Sequence, residues 1–395
     1  MPSPQETPVK SVVVPFEPEY PPAPLGRLLR HGMPERWQTA DRSAHAPHLV
    51  AVPTDDGEDW TAAALVTARP HTAYLKIVDA VGDVRAAVAA VVAHARGRGL
   101  AQVKWEGWTA RPEDAAAAGF AALRPPLAQA EDAAGPATGY VRWLHDGAVA
   151  EPSYGAVAES AYGSVAESAY GSVAEPPYYG QTTHFTCGAV TALVARAHAG
   201  ALPVEALDRR AELTLWRDAT NHPACEPVGL GVAVRRAWPS SSVTVHLDTD
   251  RPVLLDHLPE NEREWRALLQ DTSRTEADRT GVPVDPRHLT LAAIRSAIGR
   301  REQVLLLVSL DGMQGFDVPH WVLCHGVVPG AVVIEDPWAN ASTGDTWVDA
   351  HLLPVADPAL DTMSVISADR FRGAVTIGPP RPHDPSSASV PAEAP

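Results

Sequence analysis

The chain has 395 residues, 45% of them hydrophobic, with 32 basic against 48 acidic residues for a formal net charge of −16; that is enough apolar material for two ordinary domains. Basic residues occur only singly or in pairs such as Arg209-Arg210, Arg235-Arg236 and Arg300-Arg301, so a polyanion would be repelled: nucleic acid is disfavoured, and a basic partner or a neutral small molecule is favoured. No stretch reaches the roughly 18 apolar residues of a membrane span, and the N-terminus has no apolar signal core, so a cytoplasmic address without a membrane partner is expected.

The 38 prolines crowd into the start, the middle and the last twenty residues, which marks 1–24 as an N-terminal tail and 378–395 as a disordered tail. Residues 25–145 alternate strand-like and helix-like stretches, as expected of a mixed α/β domain. Stretches 60–68 and 72–78 suit paired strands, and 84–98 carries the Ala/Val/Arg pattern of a buried helix that Gly99 ends. Residues 101–105 predict another strand, 112–118 a short helix before Gly119-Phe120, and 140–144 a closing strand. An internal repeat follows: Tyr154, Tyr162, Tyr170 and Tyr178 recur every eight residues, with Val157, Val165, Val173 and Glu151, Glu159, Glu167, Glu175 in step. Its period is too short for a solenoid unit and its composition offers little to bury, so 146–177 reads as a linker. The second domain, 178–377, opens with predicted helices at 186–199 and 203–217. Later come a helix at 291–298, a buried strand at 304–310, and apolar runs 320–327 and 331–335 split by the hairpin signal Pro329-Gly330.

Three cysteines, Cys187, Cys225 and Cys324, make no disulfide framework, which leaves each as a buried thiol or a nucleophile. A thiol attacks a carbonyl only as thiolate, and an ordinary cysteine with a pKa of about 8.5 is mostly protonated at neutral pH. A helix N-terminus lowers that value through its unpaired N–H groups. Cys187 occupies such a start: Gly180-Gln181-Thr182-Thr183 turns, Thr186 is placed to cap, and Gly188-Ala189-Val190-Thr191 continues as helix. Gln181 can join the Cys187 backbone N–H as an oxyanion donor. His320 follows Val318-Pro319 at a strand start and is the candidate base. Asp336 ends the paired strand and can fix the imidazole tautomer. Among the rival histidines, His184 reads as a pocket wall, and His325 lies at an odd offset from His320 that turns it to the other strand face; His198 and His222 also compete. A metal on His320, His325 and Asp336 has no supporting ligand spacing, so neither metal nor cofactor is expected. Cys225 and Cys324 read as core thiols, and Trp216, Arg217 and Trp321 as groove or core residues.

The string Gln181-Thr182-Thr183-His184-Phe185-Thr186-Cys187-Gly188-Ala189 resembles the Q-(x)5-C-G-A start of C39-type papain-like peptidases. Pro319-His320-Trp321-Val322 and Glu335-Asp336-Pro337-Trp338 resemble that family's histidine strand and D-P element. Leu215-Trp216-Arg217-Asp218-Ala219-Thr220, followed by Cys225-Glu226-Pro227-Val228-Gly229-Leu230, is similar to a segment of peptidase C39-like proteins. The resemblance spans about residues 178–375. It implies an α+β, papain-like cysteine peptidase fold with Cys187, His320, Asp336 and Gln181 as catalytic residues. Unlike the transporter-linked members, the chain carries neither membrane spans nor an ATPase. The N-terminal domain resembles a degenerate GNAT-like α/β domain through His94-Ala95-Arg96-Gly97-Arg98-Gly99-Leu100, the strand to Trp105, and Ala115 to Phe120. Val81-Gly82-Asp83-Val84-Arg85 lacks that family's pyrophosphate-binding loop, so a docking or substrate-shaping role is expected there in place of acetyl transfer.

Such a site makes an acyl-thioenzyme, whose fate depends on whether an amine or water reaches it. The first reading is amide-bond formation, as in papain-like condensing enzymes of lincosamide antibiotic assembly. Its donor is an acyl thioester, for example on a phosphopantetheinyl carrier protein, and its acceptor a small-molecule amine. The alternative is a cysteine peptidase or amidohydrolase using the same residues. A non-catalytic binding domain conflicts with an intact set of four.

Overall fold

The computed structural model describes residues 10–29, 32–127, 135–144, 173–219, 225–256, 258–366 and 370–380. Within them the chain builds two mixed seven-stranded sheets. The first contains β1 (Val12–Pro15), β2 (His48–Pro53), β3 (Trp60–Thr67), β4 (Tyr74–Gly82), β5 (Gln102–Glu106), β6 (Ala121–Ala122) and β7 (Gly139–Trp143), in the order β1-β2-β3-β4-β5-β7-β6. All its pairs are antiparallel except β4 with β5, which the helix Val84–Gly97 connects. The second contains β8 (Ser241–Leu247), β9 (Val284–Asp285), β10 (Gln303–Ser309), β11 (Pro319–Val328), β12 (Ala331–Glu335), β13 (Leu353–Ala356) and β14 (Gly373–Pro380), ordered β13-β12-β11-β10-β14-β8-β9.

The apolar run in β10 reflects a strand buried on both faces. Leu305 and Leu307 pack toward Val190 and Leu193 of the helix Cys187–His198, while Val304, Leu306 and Val308 pack toward Ile294 of the helix Leu291–Gly299. Residues 329–330 turn β11 into β12 with Val328 opposite Ala331 and Gly330 at φ +71°, a left-handed conformation that glycine adopts without strain. A register shift between Cys324 and Gly326 bends β11 within this hairpin.

Several expected boundaries are redrawn. Residues 12–15 of the expected N-terminal tail form edge strand β1 on β2, and Phe16 and Leu25 enter the core beside Trp37. Residues 1–9 of that tail, and 381–395 of the expected disordered tail, lie outside the described residues, whereas 378–380 finish β14. Of the expected linker, 146–172 lie outside the described residues, and 173–177 are docked on the protein. Glu175 accepts the Arg124 backbone N–H (2.6 Å) and contacts His351 Nε2 (2.9 Å). Tyr178 is buried against the rings of Trp347 and His351. Val173 sits over Gly326, where a Cβ would come within 2.8 Å of it.

The two sheets are joined by backbone and by buried charge. The turn of residues 68–73 between β3 and β4 pairs with β13: Thr72 bridges Val355, Ala73 N–H donates to the Pro354 carbonyl (2.8 Å), and Ala356 N–H donates to the His71 carbonyl (3.3 Å). Lys76 Nζ bonds Asp349 and Glu106 (2.8 Å to the latter), and Lys104 Nζ donates to the carbonyls of Asp349 (2.9 Å) and His351 (2.6 Å). Leu123, Val141, Trp347, Val348 and Leu352 close an apolar patch beside these charges. Gly139 is pressed into that patch, and a Cβ there would come within 2.7 Å of Val348 Cγ2 and 3.0 Å of Trp347. Gly139→Val is therefore expected to cost about 1–3 kcal/mol through overpacking, seen as a lowered thermal midpoint by calorimetry; an unchanged midpoint would mean that this contact yields without strain.

Candidate active site

Cys187 is the first residue of the helix Cys187–His198, with Thr186 in the N-cap position. The expected Thr186 cap is not made. Its hydroxyl donates to Glu212 and to the Thr183 carbonyl (3.1 Å), and no side-chain bond from Thr186 covers the helix N-terminus. Gly188 lets this helix start press against β11, since a Cβ there would meet Trp321 at 3.1 Å and Cys225 at 3.2 Å. One turn on, Thr191 Oγ1 donates to the Trp321 carbonyl (3.1 Å). The helix start is thereby registered on the strand end that carries His320.

His320 is the second residue of β11, opposite Val308 of β10, and is buried. Its Nε2 bonds Asp336 Oδ1 at 2.8 Å, and the ring acts electrostatically on the buried Cys187 thiol. Asp336 follows the last residue of β12 and is fully buried; its Oδ1 also accepts the Trp338 N–H (2.9 Å) and its Oδ2 accepts Arg69 Nη1 (2.6 Å). Gln181 is held beside this turn by its N–H, which donates to the Pro337 carbonyl (2.8 Å). Its buried Oε1 has no partner among the described residues. The four residues singled out from sequence thus meet in one place.

Electrostatics follow from this arrangement. Burial pushes the Cys187 thiol up, but the charge and hydrogen bond of His320, with backbone N–H donors at Trp321 and Gly188, more than offset it and leave the thiol below its ordinary value. Burial pulls His320 down, and Asp336 with the Cys187 thiolate overrides that to about 10. Asp336 is raised by burial and lowered further by His320 and Arg69, so it stays ionised. Cys225 and Cys324 have no such partner; burial raises Cys225 well above the thiol value and Cys324 to about 12.

The remaining candidates fall elsewhere. His184 is exposed and meets the Phe185 ring edge-on, and Phe185 in turn packs on Trp216. His325 is buried beside His198 and 3.8 Å from Glu335, away from the thiol. His222 lies outside the described residues. Trp321 is core, its Nε1 donating to the Cys225 carbonyl (3.0 Å), and Arg217 is surface-exposed. Glu226 caps the helix Pro227–Ala237 by accepting the Val228 N–H (2.7 Å) and the Gly229 N–H. Among the described residues, no group of three or more His, Cys, Asp or Glu is placed to hold a metal ion, and no helix is long and apolar enough to cross a membrane.

Two residues that sequence reasoning passed over organise the site. Glu212, fully buried on the helix Arg209–Ala219, accepts from Tyr179 Oη (3.0 Å), Thr182 N–H (2.8 Å), Thr182 Oγ1 (2.8 Å) and the Thr186 hydroxyl, so one carboxylate clamps both ends of the segment bearing Gln181. Arg69 reaches Asp336 from the other sheet. Arg69 is a lone charge and Glu212 one of several charges on a polar helix, and no spacing rule points to either.

Residues 176–378, slightly over half of the chain, match the sequence pattern of the Peptidase_C39 like family. The chain belongs to that family. Membership brings a cysteine-type enzyme family to the same residues whose geometry is described above. Among solved structures, a putative C39-like peptidase from Bacillus anthracis is similar at 10% identity over 51% of this chain and 93% of that one, with a TM-score of 0.25. A nourseothricin acetyltransferase is similar at 18% identity over 25% of this chain and 66% of that one, with a TM-score of 0.21. At those scores neither adds to the assignment. A search of curated proteins gave no match.

The electrostatics predict selective alkylation. With iodoacetamide at neutral pH, Cys187 is expected to label well ahead of Cys225 and Cys324, because only its thiol is lowered. Labelling should fall only as acid protonates the thiolate, and the imidazolium partner is lost as pH rises through about 10. In His320→Ala, burial is opposed only by the backbone N–H donors at Trp321 and Gly188 and the acid limb moves to higher pH, with labelling at a fixed pH on the limb falling roughly tenfold for every pH unit that the limb moves. Equal labelling of all three cysteines, followed by peptide mass spectrometry, would contradict this.

Proposed function

We propose that the protein is a papain-like cysteine acyl-transfer enzyme that takes an acyl group from a thioester onto Cys187 and passes it to an amine, forming an amide bond. The observation that carries this reading is the Cys187 thiol at an uncapped helix start, facing the charge of a His320 ring that is hydrogen-bonded to Asp336. The Cys187 thiolate attacks the donor carbonyl carbon, and the oxyanion that forms is met by the Cys187 N–H and the Gln181 side-chain amide. As the intermediate collapses, the donor's carbon–sulfur bond breaks and the leaving thiolate takes the proton from His320. The amine then attacks the thioester on Cys187 while neutral His320 accepts its proton. The amide is released, and the thiolate–imidazolium pair is restored.

Amine rather than water as acceptor is supported by the depth of the sulfur. Cys187 is 9% exposed and flanked by Trp321 and the Cys225 side chain through Gly188. A shielded thioester is hydrolysed slowly. A donor on a slender phosphopantetheinyl arm suits so recessed a thiol. Hydrolysis of a peptide or amide by the same four residues is the second reading, favoured by the family's description.

The two readings part on the product. Incubation with acyl thioesters and amines is expected to give a mass increase on Cys187 and an amide, and Cys187→Ala to lower turnover by on the order of a thousandfold or more. Free acid or cut peptide without amide would favour hydrolysis, and full turnover in Cys187→Ala would remove both.

A further inference from the structure

The carboxylate that holds His320 is itself held from outside its own sheet. Arg69 lies in the turn of residues 68–73, which antiparallel pairing fastens to β13 and in which His71 takes a left-handed φ of 62°. The Arg69 carbonyl also accepts the Thr72 hydroxyl (2.6 Å). From this fixed base a side chain with no solvent exposure spreads its donors over three acceptors. Nη1 meets Asp336 Oδ2 at 2.6 Å, Nε and Nη2 meet Asp345 Oδ2 at 3.0 and 2.9 Å, and Nη2 reaches the Trp338 carbonyl at 3.2 Å. Asp336 and Trp338 flank Pro337, whose carbonyl anchors Gln181. One planar guanidinium therefore sets both the free oxygen of Asp336 and the turn on which Gln181 rests, a task for which a point-charge ammonium has the wrong shape.

We propose that Arg69 is a positioning residue of the Cys187–His320–Asp336 site, and that the N-terminal sheet is part of the active centre because it delivers Arg69. This inference rests on Cys187 being the nucleophile.

Charge gives it a sign. In the reactive form Cys187 and Asp336 are anionic, His320 is cationic, and Arg69 and Asp345 add one charge of each sign. Removing the arginine charge leaves the buried group more negative, so it takes up a proton at higher pH. Removing the Asp345 charge does the opposite. The ionisable neighbours facing Arg69 are Tyr74, Asp349 and Lys104, and His45 stands 3.2 Å from Asp345. Cys225 faces Cys187, and Glu335 and Tyr178 lie toward Asp336. All of these remain in every variant, so differences between variants report Arg69 and Asp345.

The test is the pH profile of iodoacetamide labelling at Cys187 in the full chain, with folding checked by near-ultraviolet circular dichroism. In Arg69→Met the acid limb should move up by about one pH unit, roughly tenfold less labelling at a fixed pH on the limb. Arg69→Lys should fall between Arg69→Met and wild type, and Asp345→Asn should move the limb down. A folded Arg69→Met with the wild-type profile would overturn the proposal. If Arg69→Met does not fold, an unmoved limb in Asp345→Asn overturns it instead. Should wild-type Cys187 label like an ordinary thiol, or His320→Ala leave its profile unchanged, the failure lies with the nucleophile reading and not with Arg69.

Discussion

A carboxylate with no access to water is the constraint around which this molecule is arranged. Asp336 is fully buried and ionised. Removing an ion from water costs several kcal/mol, and that cost is offset only where opposite charge and hydrogen bonds surround it. Three donors do so: the His320 ring, the Trp338 N–H and the Arg69 guanidinium. The first belongs to the proposed catalytic pair, the second is local to the turn, and the third comes from 267 residues away. Satisfying the charge therefore requires both sheets to be in place, and the short antiparallel seam between Thr72 and Val355 keeps them there.

The same logic recurs on the other side of the thiol. Glu212 is a second fully buried carboxylate, and it gathers donors from Tyr179, Thr182 and Thr186. The stretch from Tyr179 to Thr186 has no regular secondary structure, so its own backbone bonds cannot order it. Glu212 supplies that order and leaves the Thr186 hydroxyl unavailable as a helix cap. The uncapped N–H groups at the Cys187 helix start and the fixed course of the segment bearing Gln181 thus share one cause, a buried carboxylate that draws the nearby hydroxyls toward itself.

How much of this could be read from the chain follows from the range of the interactions. Helix starts and hairpin turns are short-range features: Gly188 after Cys187 and Pro329-Gly330 between two apolar runs placed the thiol and the imidazole correctly because residues within ten positions dictate them. Edge strand β1 escaped because Val12-Val13-Val14 is bounded by prolines, which suit a strand margin as well as a tail. The docked end of the repeat escaped because Glu175 and Tyr178 look like their upstream counterparts until Arg124, His351 and Trp347 are brought around them. Arg69 and Glu212 were invisible for the same reason. A charged residue on a turn or among the charges of an amphipathic helix reads as solvated, and only tertiary contact reveals which one is buried.

The N-terminal sheet supports the neighbouring sheet through bonds at one end of its strands. An anion-binding helix start needs bare N–H groups and no competing negative charge. At the helix Val84–Gly97 the Asp83 carboxylate already accepts the Ala86 N–H at 3.1 Å, so a pyrophosphate would meet an anion there. What the sheet does provide is stiffness at the opposite edge of β3 and β4, where Tyr74 donates to Asp349 Oδ1 (2.7 Å) and Lys76 bonds the same carboxylate. Those bonds hold Asp349 and with it the segment leading to β13, the strand on which the Arg69 turn is fastened. The N-terminal sheet is thus tied through Asp349 and the turn of residues 68–73 to the strand pair that carries His320 and Asp336, and its contribution to the neighbouring sheet is geometric.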